Sequence, residues 1–400
     1  MKVAIVTPIL YDKTSPFNHL FKDIINGILD RGHKVSRLVA AENEEDTGYK
    51  LGIEAEGIRY FPYFRKKAEK SNIIFRYVFD TLTAIRMALG LKKVADADVL
   101  LEDVCYSSFW TVVAAKKRGM RVVAMVQDIW PDNAVASGII GKDSIIYKFF
   151  EFWQKPVYKM ADEIICISAD MKKYIAQKGI SEEKISVIYN WGYTDEAVNI
   201  PTAENQFIKK FELEDDKFYA VYAGNIGRMQ NAELIVDAAK LLKNYEKIRF
   251  LIIGDGVSRE KIEKKIAEEN IDNIVMLPMQ ENSLATHIYS AAGINIIPLV
   301  KGGVDTALPS KTGVVLSCGK ETAFCFGEDC KFGDLLEYYS LNRTLPADKP
   351  ETLADFIKKV AEKGDGTQKK CQELFEAEFT RTKNINKYVA VIEGNESIIH

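Results

Sequence analysis

The sequence lacks several features that mark common protein classes. It has no Cys-x-x-Cys pair and only four histidines, none of them near Cys325 or Cys330, so neither a disulfide scaffold nor a structural metal site is predicted. It also lacks the run of roughly 18 apolar residues that a spanning helix needs. Residues Met1 to Pro8 have neither the length nor the cleavage site of a signal peptide. We therefore predict a cytoplasmic chain with reduced cysteines.

The composition is that of a globular protein, with 47% apolar and 28% charged residues. Four hundred residues exceed what one hydrophobic core usually serves, so two domains are expected. Residues 1–190 carry 28 Lys/Arg against 24 Asp/Glu, whereas the remainder carries 26 against 33. The basic first half suggests that this part of the chain faces an anionic surface.

Apolar runs of strand length alternate with helix-period segments along both halves of the chain. Lys2 to Pro8 and Phe218 to Ala223 begin the two halves in the same way. Such runs are typical of parallel strands that helices cover on both faces. The pattern predicts an α/β protein with two Rossmann-like domains, residues 1–190 and 191–384, and ligands at the carboxyl ends of the strands. Further strands are predicted at Val99 to Leu101, Arg121 to Val126, Ile164 to Ile167, Ile248 to Ile253, Ile274 to Leu277 and Ile294 to Pro298.

Leu308 to Thr312, Leu-Pro-Ser-Lys-Thr, precedes an apolar run and predicts the start of a helix. Pro309 suits the first helical position, where Ser310 adds a hydroxyl and Lys311 a positive charge beside free backbone N–H groups. Such a helix start is typical of a phosphate site. A plain helix cap is the alternative.

Gly224 to Arg228, Gly-Asn-Ile-Gly-Arg, follows a predicted strand directly. Its glycines let a phosphate approach the backbone, and Arg228 can bind a phosphate with two parallel hydrogen bonds. The motif is not Gly-x-Gly-x-x-Gly, which disfavours a nicotinamide cofactor. Parallel strands would place this turn and Lys311 at the same sheet edge, flanking one diphosphate. An ordinary strand-to-helix turn is the alternative.

In the first half, Asp128 follows the strand Arg121 to Val126, a position suited to a general base or a charge stabiliser in a cleft. The alternative is that Asp128 caps a loop. His19 lies at the first junction between loop and helix, where a structural or solvated histidine is the alternative to a functional one.

Residues 60–93 combine seven aromatic side chains with eight basic and only two acidic ones. This mixture suits the interface of an anionic membrane, and an ordinary helix with a solvated face is the alternative. No nucleic-acid-binding motif accompanies it. Ile145 to Met160 is a second aromatic helix, which we assign to the core.

Six motifs give the sequence a resemblance, nearly end to end, to GT-B fold glycosyltransferases of family 4. The Gln-Asp-x-Trp-Pro and Pro-Ser-Lys segments resemble the branch that includes amino-sugar transferases of O-antigen, colanic acid and capsule synthesis. The resemblance implies that a C-terminal helix, at about residues 385–400, crosses back onto the first domain. The six motifs are Gln127 to Pro131, Ala161 to Ser168, Val187 to Trp191, Tyr222 to Gly227, Ile252 to Gly256 and Leu308 to Thr312.

The resemblance also implies a set of site residues. Asp128, Arg228 and Lys311 would be catalytic, and the diphosphate would lie between the Gly224–Arg228 turn and Lys311. The nucleobase would lie near Gly254–Gly256 and Pro278. No metal ion is implied, nor any cofactor besides the nucleotide sugar. The implied donor-binding residues are Gly224, Asn225, Gly227, Gly254, Asp255, Gly256, Pro278, Met279, Pro309, Ser310 and Thr312.

The sequence departs from the family pattern in three places. The family's glutamate pair would fall on Thr306 and Val314, so both carboxylates are absent. The lysine usually found after the Gly-Arg turn is also missing. The glycine-rich acceptor loop after the first strand is replaced, which makes Ser15, Asn18 and His19 candidates for acceptor selection.

The implied activity is that of a retaining glycosyltransferase. It would move a sugar, such as an N-acetylated amino sugar, from a UDP-linked donor to a lipid-linked saccharide for surface polysaccharide synthesis. The enzyme would work at the inner face of the plasma membrane, in contact with it through residues 60–93. A GT-B sugar-nucleotide epimerase and a non-catalytic GT-B partner subunit are the alternatives.

Overall fold

The computed structural model describes residues 1–8, 17–41, 57–64, 73–192, 195–364 and 366–395. Its strands form two sheets, and every strand pairing within them is parallel. The predicted α/β architecture with two parallel sheets is therefore confirmed.

The first sheet has seven strands in the order β3-β2-β1-β4-β5-β6-β7. Its central strands are buried along almost their whole length, as expected where helices cover both faces. The strand order reverses between β1 and β4, which is where ligands bind in sheets of this kind. The strands are β1 Lys2–Thr7, β2 Lys34–Ala41, β3 Ile58–Phe64, β4 Val99–Asp103, β5 Arg121–Val126, β6 Glu163–Cys166 and β7 Ile185–Val187.

The second sheet has five strands in the order β10-β9-β8-β11-β12, and its order reverses between β8 and β11. A cluster of apolar side chains around Ile235, Phe250 and Ile296 packs the sheet against its helices. The strands are β8 Phe218–Ala223, β9 Ile248–Ile253, β10 Ile274–Leu277, β11 Ile294–Pro298 and β12 Thr322–Cys325.

Helices connect the strands in both sheets. They are α1 Phe17–Asp30, α2 Ile73–Gly90, α3 Phe109–Lys116, α4 Asp132–Ala136, α5 Ile145–Met160, α6 Ala169–Gln177, α7 Gln206–Phe211, α8 Ala232–Leu241, α9 Arg259–Glu268, α10 Ala285–Ala291, α11 Thr312–Ser317, α12 Lys331–Tyr338, α13 Pro350–Lys363, α14 Gln368–Glu378 and α15 Arg381–Glu393. Among the described residues, no helix is both long and apolar enough to cross a bilayer.

The chain divides into two compact units. The first comprises Met1–Val135, Ile140–Tyr189 and Thr382–His400, and the second comprises Ala136–Ile139 and Asn190–Arg381. The helix α15 therefore packs with the first unit, although almost the whole second unit precedes it in sequence.

Several contacts hold α15 on the first unit. The Asn384 side-chain amide donates to the Tyr189 carbonyl at 3.0 Å. The Arg121 guanidinium donates to the carbonyl of Val391 at 2.7 Å, at the helix C-terminus, where a positive charge is favourable. Gly27 of α1 lies so close to Ile385 that a Cβ atom there would be 2.2 Å from the Ile385 Cγ2 atom.

We expect Gly27→Ala to destabilise the protein. Alanine in a helix interior is worth about 1 kcal/mol over glycine, but the new methyl group overlaps a β-branched side chain that cannot rotate away easily. Such overpacking typically costs about 1–3 kcal/mol. Thermal unfolding should show a lower Tm for Gly27→Ala and recovery in the double variant with Ile385→Ala. Gly141→Ala, where the added Cβ has no atom within 4 Å, is the control. An unchanged Tm in Gly27→Ala would contradict this packing of α15.

Candidate functional site

The glycine turn after β8 lies against the lysine of the Leu-Pro-Ser-Lys-Thr segment. Gly224 has a φ of 141°, a value that residues with a side chain rarely adopt. A Cβ atom on it would lie 2.6 Å from the Lys311 Nζ atom. The structure thus brings together the two segments that the sequence predicted to flank one ligand, at the reversal point between β8 and β11.

The amine of Lys311 is held by groups at the end of β8. It donates to the Ala223 carbonyl at 2.6 Å and lies 4.0 Å from the centre of the Tyr222 ring. The Tyr222 hydroxyl in turn donates to the carbonyl of Asn225. The ring and the carbonyl therefore fix the amine beside the glycine turn.

This amine has no carboxylate partner within the described ranges, where no ion pair involves Lys311. Part of the side chain reaches solvent, yet desolvation lowers the pKa of Lys311 from 10.5 to about 7. One carbonyl and one ring face do not offset the loss of water around an ammonium group. An anion bound at the turn would supply the missing counter-charge and raise the pKa again.

The predicted helix start at Pro309 is wrong. The helix α11 begins at Thr312 with Lys311 as its N-cap, and it is only six residues long. The amide and the hydroxyl of Thr312 both donate to the Pro309 carbonyl, at 3.0 and 2.7 Å. This turn delays the helix by three residues, so Ser310 and Lys311 lie in the turn before it. Ser310 is exposed and Pro309 is half-buried.

A second glycine turn follows β9 and packs against the first. Gly254 and Gly256 have φ values of 152° and 154°, and a Cβ atom on Gly254 would lie 1.8 Å from the Gly224 carbonyl oxygen. Asp255 is exposed, and its carbonyl accepts from the Ile226 amide at 2.7 Å. Two turns that pack this closely leave no room for a side chain at Gly254 or Gly256, so backbone atoms form this part of the site.

Pro278 and Met279 continue the same row of strand ends. They follow β10, which pairs with β9, and both are exposed. The Gly254 amide donates to the Leu277 carbonyl at 3.1 Å. The residues predicted to bind the nucleobase therefore lie on neighbouring strand ends, one and two strands away from the glycine turn after β8.

Arg228 begins a short 3-10 turn after Gly227 and is exposed. Among the described residues it forms no ion pair, so its guanidinium is available to a ligand. The side-chain amide of Asn225 donates to the Gln230 side chain at 3.4 Å. The turn thus offers one free cation in addition to Lys311.

Sequence reasoning missed three residues that shape this site. Tyr222 supports the Lys311 amine, and Tyr289 donates to the Ala223 carbonyl at 3.2 Å. Arg259 donates to the carbonyls of Gly254 and Leu277, which joins the ends of β9 and β10. A side chain that donates to a backbone carbonyl gives no recognisable sequence motif, because any hydrogen-bond donor of suitable length could replace it.

The family's two glutamate positions are occupied by small, buried residues. Thr306 is buried, and its hydroxyl donates to the Gly303 carbonyl at 3.1 Å. Val314 is also buried, and a Cβ atom on Gly192 would lie 3.5 Å from the Val314 Cγ2 atom. The aligned positions therefore offer no carboxylate to a ligand, and Lys311 and Arg228 are the positive charges beside the glycine turn after β8.

In the first unit, Asp128 lies on a loop that is fixed on both sides. Gln127 and Ile129 are buried, whereas Asp128 between them is exposed. Asp132 anchors the far end of the loop by accepting from Tyr147 and Tyr174 and pairing with Lys178, at 2.7 to 2.8 Å. The loop therefore presents the Asp128 carboxyl group in a defined place.

The surroundings of Asp128 make it a weaker acid. Desolvation raises the pKa of Asp128 from 3.8 to about 6, although the side chain keeps access to water. An accessible carboxylate stays partly hydrated, so the full shift of its pKa requires a ligand that excludes the remaining water. A carboxyl group with this pKa is suited to proton transfer near neutral pH.

The acceptor candidates lie at the start of α1. Asn18 and His19 are half-buried in its first turn, and Ser15 lies outside the described residues. Over the part of the chain that the structure describes, no three His, Cys, Asp or Glu side chains are arranged to hold a metal ion.

Comparison with known proteins identifies the family. The profile described as Glycosyltransferase Family 4 matches residues 19–195, and the profile described as Glycosyl transferases group 1 matches residues 203–304. Together the two profiles cover more than half of the chain. The chain belongs to glycosyltransferase family 4. The predicted family is thereby confirmed.

Two curated relatives of this family 4 chain come from bacteria. The probable glycosyltransferase WbjE of Pseudomonas aeruginosa is 26% identical over 61% of this chain and 60% of its own length. WcaI of Escherichia coli (strain K12), named for colanic acid biosynthesis, is 24% identical over 56% of each chain. The matches thus span little more than half the length of either relative.

The fold is shared with solved structures. Anabaena Alr3699/HepE in complex with UDP superposes with a TM-score of 0.72 over 98% of this chain and 100% of that one, at 12% identity. The family 4 chain therefore has the GT-B fold.

We expect Lys311→Met to stabilise the unliganded protein at low pH. Because the pKa of Lys311 is lower in the folded chain, the unfolded chain binds its proton more tightly. The lysine therefore costs stability below about pH 7, and the cost disappears as the pH rises toward 10.5. Thermal unfolding from pH 6 to 10 should show a Tm gain for Lys311→Met that shrinks with pH. The exposed Lys301→Met is the control. A gain independent of pH would argue against a desolvated amine.

Proposed function

We propose that the chain is a retaining glycosyltransferase that uses a UDP-linked sugar donor and needs no metal ion. The observation that supports this most directly is the desolvated Lys311 amine, which has no carboxylate partner among the described residues and lies beside the glycine turn. A diphosphate placed there would meet the amine, the Arg228 guanidinium and backbone that glycine leaves uncovered.

The hard step in such a reaction is departure of the nucleotide. The bond between the anomeric carbon and the diphosphate oxygen breaks, and the diphosphate takes the electron pair. Negative charge therefore grows on the leaving phosphate, and positive charge grows on the sugar. Lys311 and Arg228 would stabilise the first of these charges, a role that a metal ion fills in other transferases.

The acceptor hydroxyl then forms the new bond to the anomeric carbon and loses its proton. We assign Asp128 to the sugar side of the reaction, where its carboxylate would stabilise the positive sugar or orient that hydroxyl. The raised pKa of Asp128 supports a second role, in which its carboxylate accepts the proton of that hydroxyl near neutral pH. Asn18 and His19, with Ser15, are proposed to select the acceptor.

We further propose that the acceptor is a lipid-linked saccharide at the inner face of the plasma membrane, and that the product enters a surface polysaccharide. The name of WcaI supports this assignment. An N-acetylated amino sugar is the proposed group transferred. Within residues 60–93, the exposed side chains Phe75, Val78, Leu82 and Leu89 on α2 would contact the membrane. Arg65 to Lys70 of this segment lie outside the described residues.

Donor binding tests the diphosphate site. In a thermal-shift panel of UDP-, GDP- and dTDP-sugars, we expect UDP-sugars to raise the Tm most, since ligand at 100 times its Kd adds about 2.7 kcal/mol. Lys311→Ala and Arg228→Ala should each weaken donor binding by about 10- to 100-fold, because each removes one charged hydrogen bond. Lys264→Ala, on the exposed face of α9, should bind like the parent protein.

The same panel separates the alternatives. If Lys311→Ala and Arg228→Ala both bind donor normally, the proposed diphosphate site is wrong. Mass spectrometry of the products then identifies the reaction, because a transferase releases UDP whereas an epimerase returns an isomer of the donor. A non-catalytic partner subunit would show no turnover of any donor.

Asp128→Asn should leave donor binding intact and lower the transfer rate by about 10²- to 10⁴-fold, the usual range for a general acid or base. In the parent enzyme, kcat should fall as the pH drops below about 6, because Asp128 in the ligand-bound enzyme becomes protonated. The measurement is UDP release across a pH series, with UDP-induced thermal shifts as the binding control. Full activity of Asp128→Asn would remove this residue from the mechanism.

A further inference from the structure

The outer face of α5 is apolar and exposed. Sequence analysis assigned this helix to the core, and that prediction is wrong for half of its circumference. Phe150 and Val157 are buried against the first unit. Ile145 and Phe152, however, are 85% and 70% exposed, and Ile146 and Phe149 are exposed beside them. A monomeric protein rarely leaves such a strip uncovered without a use for it.

A row of lysines runs along one flank of this strip. Lys148, Lys155 and Lys159 are all exposed, and their spacing of seven and four residues puts them on one line along the helix. They border a shallow groove of about 600 Å³ whose floor includes Phe152, Pro156 and Met160. Apolar side chains and amines therefore lie side by side along three turns.

The only acidic residue of α5, Glu151, borders the same groove and offsets at most one of the three lysine charges. Glu151 lies 3.5 Å from Lys178 of the neighbouring chain segment and accepts from the Tyr147 hydroxyl at 3.4 Å. Both partners lie toward the body of the unit, away from the apolar strip. The groove side of α5 thus carries three positive charges against one partly exposed carboxylate, which leaves a surplus of two positive charges.

Aromatic side chains extend the surface beyond α5. Trp153 stacks with Trp110 of α3 at 5.6 Å between ring centres, and Trp110 is itself 37% exposed. On another side, Phe149 contacts Tyr77 of α2 at 5.6 Å. The strip therefore reaches Tyr77 of α2, and tryptophans lie at its border, as is common at membrane interfaces.

We propose that this face of α5 docks onto the surface of a bilayer that contains anionic phospholipids. The apolar strip would enter the boundary between headgroups and acyl chains, and the lysine row would extend its amines to the phosphates. A second copy of the chain fits less well. A symmetric dimer places the same patch on both partners, so the two lysine rows would lie close together and repel.

This proposal does not depend on glycosyl transfer, because it rests on surface chemistry alone. The test is co-sedimentation of the full chain with vesicles of phosphatidylcholine, either alone or with one third phosphatidylglycerol, at low and high salt. We expect binding to the anionic vesicles that weakens as salt increases. Lys148→Gln/Lys155→Gln/Lys159→Gln should weaken it by about 100-fold, at roughly one tenfold loss or somewhat less per lysine. Ile145→Ser/Phe152→Ser should weaken it at least as much.

Matched controls come from the second unit. Leu241→Ser/Tyr338→Ser removes two exposed apolar side chains, and Lys264→Gln/Lys301→Gln/Lys369→Gln removes three exposed lysines. Both controls should bind like the parent, and all variants should keep the parent Tm. Equal vesicle binding by the α5 variants would overturn the proposal. The proposal would also be overturned if the parent protein did not bind vesicles and formed a dimer in sedimentation velocity that the Ile145→Ser/Phe152→Ser variant did not form.

Discussion

The amine of Lys311 rests on the Ala223 carbonyl and on the face of Tyr222, and this contact joins the loop after β11 to the end of β8. The two strands are neighbours at the point where the order of the second sheet reverses. The amine can lie there only because residue 224 has no side chain. The position of the Lys311 amine thus depends on a glycine and on the reversal of the strand order. The cost of desolvating the amine is the physical reason for assigning an anion to this place.

The remaining parts of the site follow from parallel strands that all end at one edge. β10, β9, β8 and β11 lie in a row, so their following turns are neighbours although they are far apart in sequence. Glycines at the first two turns after β8 and β9 allow the backbones to touch. A side chain on Gly254 would overlap the Gly224 carbonyl and separate the turns. The site is therefore built mainly from backbone geometry, with Arg228 and Lys311 as the positive charges beside the turn after β8.

The sequence predicted this arrangement well where burial alone decides the structure. The strands Phe218–Ala223, Ile248–Ile253 and Ile294–Pro298 were predicted with their correct bounds, because a strand buried on both faces is a continuous apolar run. The start of α11 was predicted three residues too early. The amide and the hydroxyl of Thr312 donate to the Pro309 carbonyl, so these residues form a turn before the helix begins.

Two other features could not be read from the sequence. The α5 helix has apolar residues around most of its circumference, so periodicity could not show which side faces solvent. Arg259 bonds to two backbone carbonyls, and nothing in its neighbours specifies such partners. Both are set by tertiary packing, which a local pattern does not record.

The position of α15 has a consequence for the order in which the protein is made. The helix completes the first unit, but the ribosome adds it only after the second unit. At the usual speed of synthesis, roughly 5–20 residues per second, close to 200 residues represent a delay on the order of 10–40 s. During that time the surface around Gly27 that receives α15 has no cover. The nascent first unit is therefore an incomplete domain whose exposed apolar groove must avoid other chains until the last helix emerges.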